Sequence, residues 1–239
     1  MNLPFFFVEN LNDKMIVLDE DTSKHMINVL RMQKGEEVLL TDGKGKKAKA
    51  SIIDDNRKKT IVEVLSLEVE SERKNKIAIG ISLIKNASRF EWFLEKATEI
   101  GISEIIPLIC TRTEKEKFRF DRMQTILISA MLQSQQCWLP VLHEPTEFEK
   151  LIRLSFEQKF IAHCGESKRQ QLSSHLNNSR SQLVVIGPEG DFTSEEIEHA
   201  IKNDFLPVSL GTTRLRTETA GIVAAALLKS YSDIAHPTA

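Results

Sequence analysis

The chain is poor in residues that build covalent or metal-held frameworks. Its three cysteines, Cys110, Cys137 and Cys164, stand far apart among 239 residues without a C-x-x-C pair. Neither a zinc ribbon nor a disulfide scaffold is therefore encoded. The six histidines are equally scattered, and His163 beside Cys164 reads as strand packing, so no metal is implied. No apolar run approaches the ~18 residues of a membrane span, and the opening MNLPFFFVEN lacks the basic segment of a signal peptide. The expectation is a cytoplasmic protein with no membrane partner. Surplus positive charge is also missing: 32 Lys and Arg against 34 Asp and Glu give a formal net charge of −2. That excludes a protein that coats nucleic acid by bulk charge and confines any RNA site to a patch.

What is present, 41% apolar and 28% charged residues, suffices for a globular core in one large domain or two smaller ones. The pattern favours two. From Pro4 to about Glu70 short β-type runs (FFFVE, KMIVLD, EVLLTD, AKASIIDD, TIVEVLSLEV) are interrupted by one helix around Asp21–Met32, which predicts a β-barrel or sandwich of roughly 70 residues. The polar SERKNK, Ser71–Lys76, marks the boundary between domains over 1–72 and 73–239. Beyond it, strand-like runs (IAIGISLI, EIIPLI, KFIAHC, LVVIG, FLPVSLG) alternate with helical ones. Among these are a long helix near Asp121–Gln136 and a last one over Thr219–Tyr231. Such alternation predicts an α/β domain with a mostly parallel sheet.

In the first of these helices Phe90, Phe93, Leu94, Ala97 and Ile100 form an apolar stripe, Gly101 reads as the stop, and Arg89, Glu91, Lys96 and Glu99 read as a solvated face. The last helix is rich in Ala and Gly, which suits either tight packing on the sheet or a subunit contact.

Two glycine-bearing turns follow strands. In IGPEGDFTSEEIEHAI, Thr193 and Glu196 are spaced as a capping box, and the acids there would repel a phosphate. The ligand expected at this turn is neutral or cationic. The second turn, SLGTTRLRTETAG, crowds Arg214, Arg216 and Glu218 into five residues. Two such loops at the ends of neighbouring strands would converge on one crevice. In the N-terminal region, KGKKAK and Arg57–Lys59 place basic residues at the two ends of a predicted strand, and Asp42, Asp54 and Asp55 interleave with them.

Taken together, HMINVLRM, RFEWFLEKATEIGISEIIPL, VVIGPEGDFTSEEIE and SLGTTRLRTETAGIVAAALL resemble the RsmE family of the SPOUT superfamily, small-subunit ribosomal RNA methyltransferases that act on N3 of a uridine. The resemblance implies a PUA-like β-barrel followed by a SPOUT parallel-sheet domain with a deep trefoil knot. It also implies S-adenosylmethionine as methyl donor, 16S ribosomal RNA of the small subunit as substrate, and a homodimer whose interface completes each site. S-adenosylmethionine carries a sulfonium and no phosphate, so it suits the acidic turn. By the same resemblance, Ile186, Gly187, Glu189, Gly190, Leu210, Gly211, Leu215, Arg216 and Thr217 hold the donor. The crowding of Arg214, Arg216 and Glu218 beside the donor loop leads to the expectation that Arg214 or Arg216 stabilises charge on the uracil oxygens and that Glu218 orients the base or takes its proton, and RNA docking is expected at Arg31, Lys46, Lys47 and Lys85. The chain departs from the family at Leu132 and Gln136, where Glu and Arg are common, and at Leu3, Pro4 and Phe5, where an arginine often stands. The donor loops alone do not separate base from ribose methylation, and the departures at 132 and 136 leave room for a non-catalytic ribosome-assembly factor.

Overall fold

The computed structural model describes residues 3–72, 75–114, 117–165, 169–177 and 179–234. The chain divides into two compact units, Met1–Glu72 with Met131–Leu139, and Arg73–Ala130 with Pro140–Ala239. Arg73 and Lys74 of the SERKNK stretch lie outside the described residues.

In the first unit, strands β1 (Phe5–Phe7), β2 (Met15–Val17), β3 (Glu37–Thr41), β4 (Lys46–Asp54) and β5 (Ile61–Val69) form one sheet in the order β1-β3-β4-β5-β2. Only the β1–β3 pairing is parallel. Alternation along the strands sends Val38, Leu40, Ala48, Ala50, Ile52 and Val62 into one core with Phe6 and Ile16. The other face of the sheet carries charge pairs such as Lys49–Glu37 at 2.8 Å. The helix predicted over 21–32 is split. An α-helix, α1 (Glu20–Lys24), capped by Asp19 accepting from the Thr22 amide at 2.8 Å, runs into a π turn over His25–Val29. The π turn ends the helix early and leaves Arg31 left-handed, at φ 58°.

The second unit holds β6 (Ile77–Ser82), β7 (Glu104–Ile109), β8 (Val141–Leu142), β9 (Thr146–Glu147), β10 (Gln158–Ala162), β11 (Gln170–Gln171), β12 (Gln182–Ile186) and β13 (Phe205–Ser209). They pair in parallel in the order β11-β13-β10-β12-β6-β7-β8, with β9 also on β7. The helices are α2 (Ala87–Ile100), α3 (Phe120–Gln133), α4 (Phe148–Leu151), α5 (Ser194–Lys202) and α6 (Thr217–Ile234), and the last residues of α3 belong to the first unit. β6 and β12 are buried along their whole length because helices cover both faces. Leu183 and Val185 pack with Phe148 and Leu151 of α4 and Ala200 of α5, while Ile81 meets α6 at Gly221. α2 begins at Asn86, whose side chain accepts from the Ser88 amide at 3.0 Å, and stops at Gly101, φ 91°. The strands β8, β9 and β11 and the helix α4 escape sequence reading because two to four residues carry no period.

Near the amino ends of this sheet, Glu104 accepts from His143 at 3.0 Å and from Lys76 at 3.0 Å. The His143 hydrogen bond, reinforced by Lys76, holds the Glu104 carboxyl down from 4.5 to about 2, against the opposing effect of burial. A folded-state value below the unfolded one stabilises the fold above pH 4.5 and is lost as pH falls toward 2. The contribution is at most ~3 kcal/mol. Glu104→Gln should therefore be less stable than the parent near neutrality and converge with it on acidification. A stability difference independent of pH would contradict this.

Candidate active site

β10, β12 and β13 end in register, with Ala162 opposite Ile186 on one side and Val208 on the other. The loops that leave them enclose a cavity of about 550 Å³. Sequence reading placed the two glycine turns on neighbouring strands. The sheet corrects this: β10 lies between β12 and β13, so a third loop, starting at His163 and Cys164, also lines the cavity. The placement follows the general rule that open parallel sheets bind ligands beyond the carboxyl ends of their strands.

The first turn is built as expected. Thr193 Oγ1 accepts from the Glu196 amide at 3.2 Å, and Glu196 Oε2 accepts from the Thr193 amide at 2.8 Å, closing the capping box. The other Glu196 oxygen accepts from the Thr111 amide at 2.8 Å. Asp191, left-handed at φ 63°, accepts from the amides of Cys164 and Phe192 at 2.7 and 2.9 Å. Both carboxylates are thus engaged by backbone, and Glu189 is the exposed acid that this turn turns to the cavity. Gly187 is fixed by space: a Cβ there would sit 3.0 Å from the Phe192 ring and 3.2 Å from its amide nitrogen.

The second turn reaches the first directly, since Thr217 Oγ1 donates to the Gly187 carbonyl at 3.1 Å. Gly211 at φ 148° allows the chain to reverse after β13. Of the residues expected to hold the donor, Ile186, Gly187, Glu189, Leu210, Gly211, Leu215, Arg216 and Thr217 line the cavity, as does Arg214. Gly190 stands apart from the lining, and its carbonyl accepts from Arg112 at 2.6 Å. Glu218 lies in the first turn of α6, 7% exposed, next to the lining residue Thr217.

Several residues here were missed. His163 is buried, and burial lowers its pKa, so the ring is neutral. Its Nδ1 accepts from the Gly165 amide at 3.1 Å, which places the proton on Nε2, a buried donor without a protein partner. Arg169 donates to the His163 carbonyl and lines the cavity. Arg89, expected on the solvated face of α2, lines it too. Of its neighbours on that face, Lys96 keeps to the expectation, pairing with Glu95 and Glu99, whereas Glu91 is largely covered and held by Arg122 of α3 at 2.5 and 2.8 Å. Four arginines against Glu189 and Asp191 make the cavity wall more basic than the first turn alone suggests. No sequence signal marks Arg89, because helical period cannot say which polar residue meets a neighbouring helix.

The RNA candidates fall as follows. Arg31 is exposed; Lys46 donates to Asn12; Lys47 lies 5.6 Å over the Phe5 ring; Lys85 pairs with Glu114 at 2.8 Å. As successive residues of β4, Lys46 and Lys47 point to opposite faces. Leu132 and Gln136 lie in the first unit, and the cavity lies in the second.

A parallel-sheet domain with a ligand cavity at its carboxyl edge, preceded by a small β unit, defines an α/β small-ligand-binding class with an accessory module. Comparison with known proteins gives the class its family. Residues 71–229 match the RNA methyltransferase domain and residues 18–65 the RNA methyltransferase PUA domain. The chain belongs to the RNA methyltransferase family. It is 28% identical over 227 residues to Ribosomal RNA small subunit methyltransferase E of Bacillus subtilis (strain 168), covering 88% of each protein. The crystal structure of a probable rRNA-methyltransferase from Porphyromonas gingivalis matches at TM-score 0.91 and 34% identity, over 98% of this chain and 100% of that one. That of Ribosomal RNA small subunit methyltransferase E from Neisseria gonorrhoeae, bound to S-adenosyl methionine, matches at TM-score 0.84 and 27% identity, over 96% and 98% of the two chains.

Proposed function

We propose that the protein methylates N3 of a uridine in 16S ribosomal RNA of the small subunit, with S-adenosylmethionine as donor. The observation that carries this is the cavity at the strand ends. Its volume of about 550 Å³ falls in the ~300–1,000 Å³ range of small-ligand sites. Leu210 and Leu215 offer apolar contact, Gly187 lets the backbone come close, and His163 Nε2 is a buried donor awaiting an acceptor. These features fit an adenosine joined to an amino acid. Glu189 at the turn suits the positive charge.

When bound, S-adenosylmethionine supplies a methyl group on a sulfonium sulfur. The protein's share is to align the base, stabilise negative charge on the uracil oxygens and remove the N3 proton. Arg214 and Arg216, exposed on the cavity wall, are the cations for the oxygens. Glu218, with one carboxylate oxygen unpartnered, takes the proton as N3–H is exchanged for N3–CH3.

RNA docking is assigned to Arg31, Lys46, Lys47 and Lys85, and a salt slope unchanged in Lys46→Ala/Lys47→Ala would remove the two central lysines. A cytoplasmic homodimer completes the reading. The dimer is supported by α6, where Ile222, Val223 and Leu227 stay half-exposed outside its buried stripe.

Thiol chemistry tests the donor site. Cys164 is exposed and lines the cavity, whereas Cys110 and Cys137 are buried, and burial pushes both thiols up, Cys137 to about 12. A thiol reagent should label one cysteine per native chain, at Cys164, and S-adenosylmethionine should protect it. Labelling unaffected by saturating donor, with no heat of binding in calorimetry, would refute the assignment.

A further inference from the structure

Arg89 occupies a position that a surface ion pair does not explain. Its Nη1 lies 3.4 Å from Glu189 Oε1, and its Nε lies 3.7 Å from Glu218 Oε1. The Glu218 side chain is 9% exposed, and its second oxygen, Oε2, is buried with no hydrogen-bond partner. An unpartnered buried acceptor is costly, so a fold keeps one where a ligand supplies the missing donor. α2 and α6 fix the arrangement. Asn86 caps the first turn of α2, the Arg89 amide donates to the Asn86 carbonyl at 3.0 Å, and Phe93 one turn on packs against Gly221 of α6. Side by side, then, stand a guanidinium that can only donate and a carboxylate oxygen that can only accept.

We infer that Arg89 and Glu218 together read the imide edge of the target base, an inference that rests on the proposed function of the cavity. Uracil presents N3–H flanked by two carbonyl oxygens. The N3–H meets Glu218 Oε2, and a neighbouring carbonyl accepts from Arg89. Cytosine loses the first contact, because its bare N3 faces the carboxylate, and loses the second as well where the guanidinium stands at position 4, because an amino group replaces the carbonyl there. Adenine fails in the same way. Guanine, with N1–H beside O6, satisfies the pair and must be excluded by its larger ring. Sites that hydrogen-bond a substrate group reject analogues lacking it far more strongly than apolar pockets do, because their own buried groups are left unpaired. Arg89 is thus a positioning and specificity residue beside Glu218.

The test separates recognition from turnover. Fragments of small-subunit ribosomal RNA carrying uridine or cytidine at the methylated position are bound to protein saturated with S-adenosylhomocysteine, which cannot donate a methyl group. The wild type should prefer uridine by about tenfold or more. Arg89→Met should shrink the preference to about threefold or less and lower the single-turnover rate measured at saturating donor. Arg89→Lys, which keeps a cationic donor, should recover part of the preference, an effect that a loss of packing would not produce. A wild type that methylates uridine, with an Arg89→Met variant that keeps the full preference for uridine, overturns the inference alone. A wild type that methylates no RNA overturns the functional reading and the inference with it.

Discussion

Glu218→Gln is expected to lower single-turnover methylation by roughly 10²–10⁴-fold at saturating donor and RNA. The amide has nearly the volume of the carboxylate, so the first turn of α6 and the Thr217–Gly187 hydrogen bond should survive. What is lost is the acceptor for the N3 proton. Donor affinity should stay within about threefold, because Glu218 is not among the residues that line the cavity. Arg216→Ala should also slow the reaction, by roughly 10²-fold, through loss of a cation near the oxygens where charge develops. Rapid-quench measurement of methyl incorporation, paired with calorimetry, distinguishes chemistry from binding. Full activity in both variants would remove these two side chains from the mechanism.

Gly221→Val should be the most damaging change to the fold among those considered. A Cβ at this position would lie 2.6 Å from Phe93 Cε2 and 2.9 Å from Ile81 Cδ1, and both of those side chains are fully buried. Overpacking of this kind costs about 1–3 kcal/mol for a first added methyl. Alanine recovers part of that, since it is better than glycine in a helix by about 1 kcal/mol. Valine adds two more methyls and recovers less. Gly221→Ala should thus lose about 0–2 kcal/mol in urea titration, and Gly221→Val more than about 3 kcal/mol. The valine variant should also lose methylation, because forcing α6 from α2 separates Glu218 from Arg89. A Gly221→Ala protein more stable than its parent would show that the helices have room to spare.

The glycine also shows how far the sequence carries. Small residues on the last helix predict close approach but not its partner, and the partner is known only once Phe93 and Ile81 are placed in space. The capping box at Thr193, the stop at Gly101 and the parallel sheet were legible because each rests on local spacing. The π turn before Arg31 was not, since its residues read as ordinary helix. At the site, the two glycine turns and the arginines of the second were visible in the chain. The loop after β10 was hidden because strand order is not a property of local sequence. His163 read as packing, and it is packed, yet its unpartnered Nε2 faces a demand that appears only in the folded site. Arg89 reads as solvent-exposed charge for the same reason that Glu91 and Lys96 do, but α6 meets Arg89 and α3 meets Glu91, and only Lys96 keeps its partners within its own helix.

The most direct test is to incubate the purified protein and isotope-labelled S-adenosylmethionine with small ribosomal subunits that lack the modification, then to locate the label in the RNA. The proposed function predicts one labelled nucleotide, a uridine bearing the methyl group on N3. Label on a ribose oxygen or on another base, or none at all from a protein that binds the donor, would contradict it.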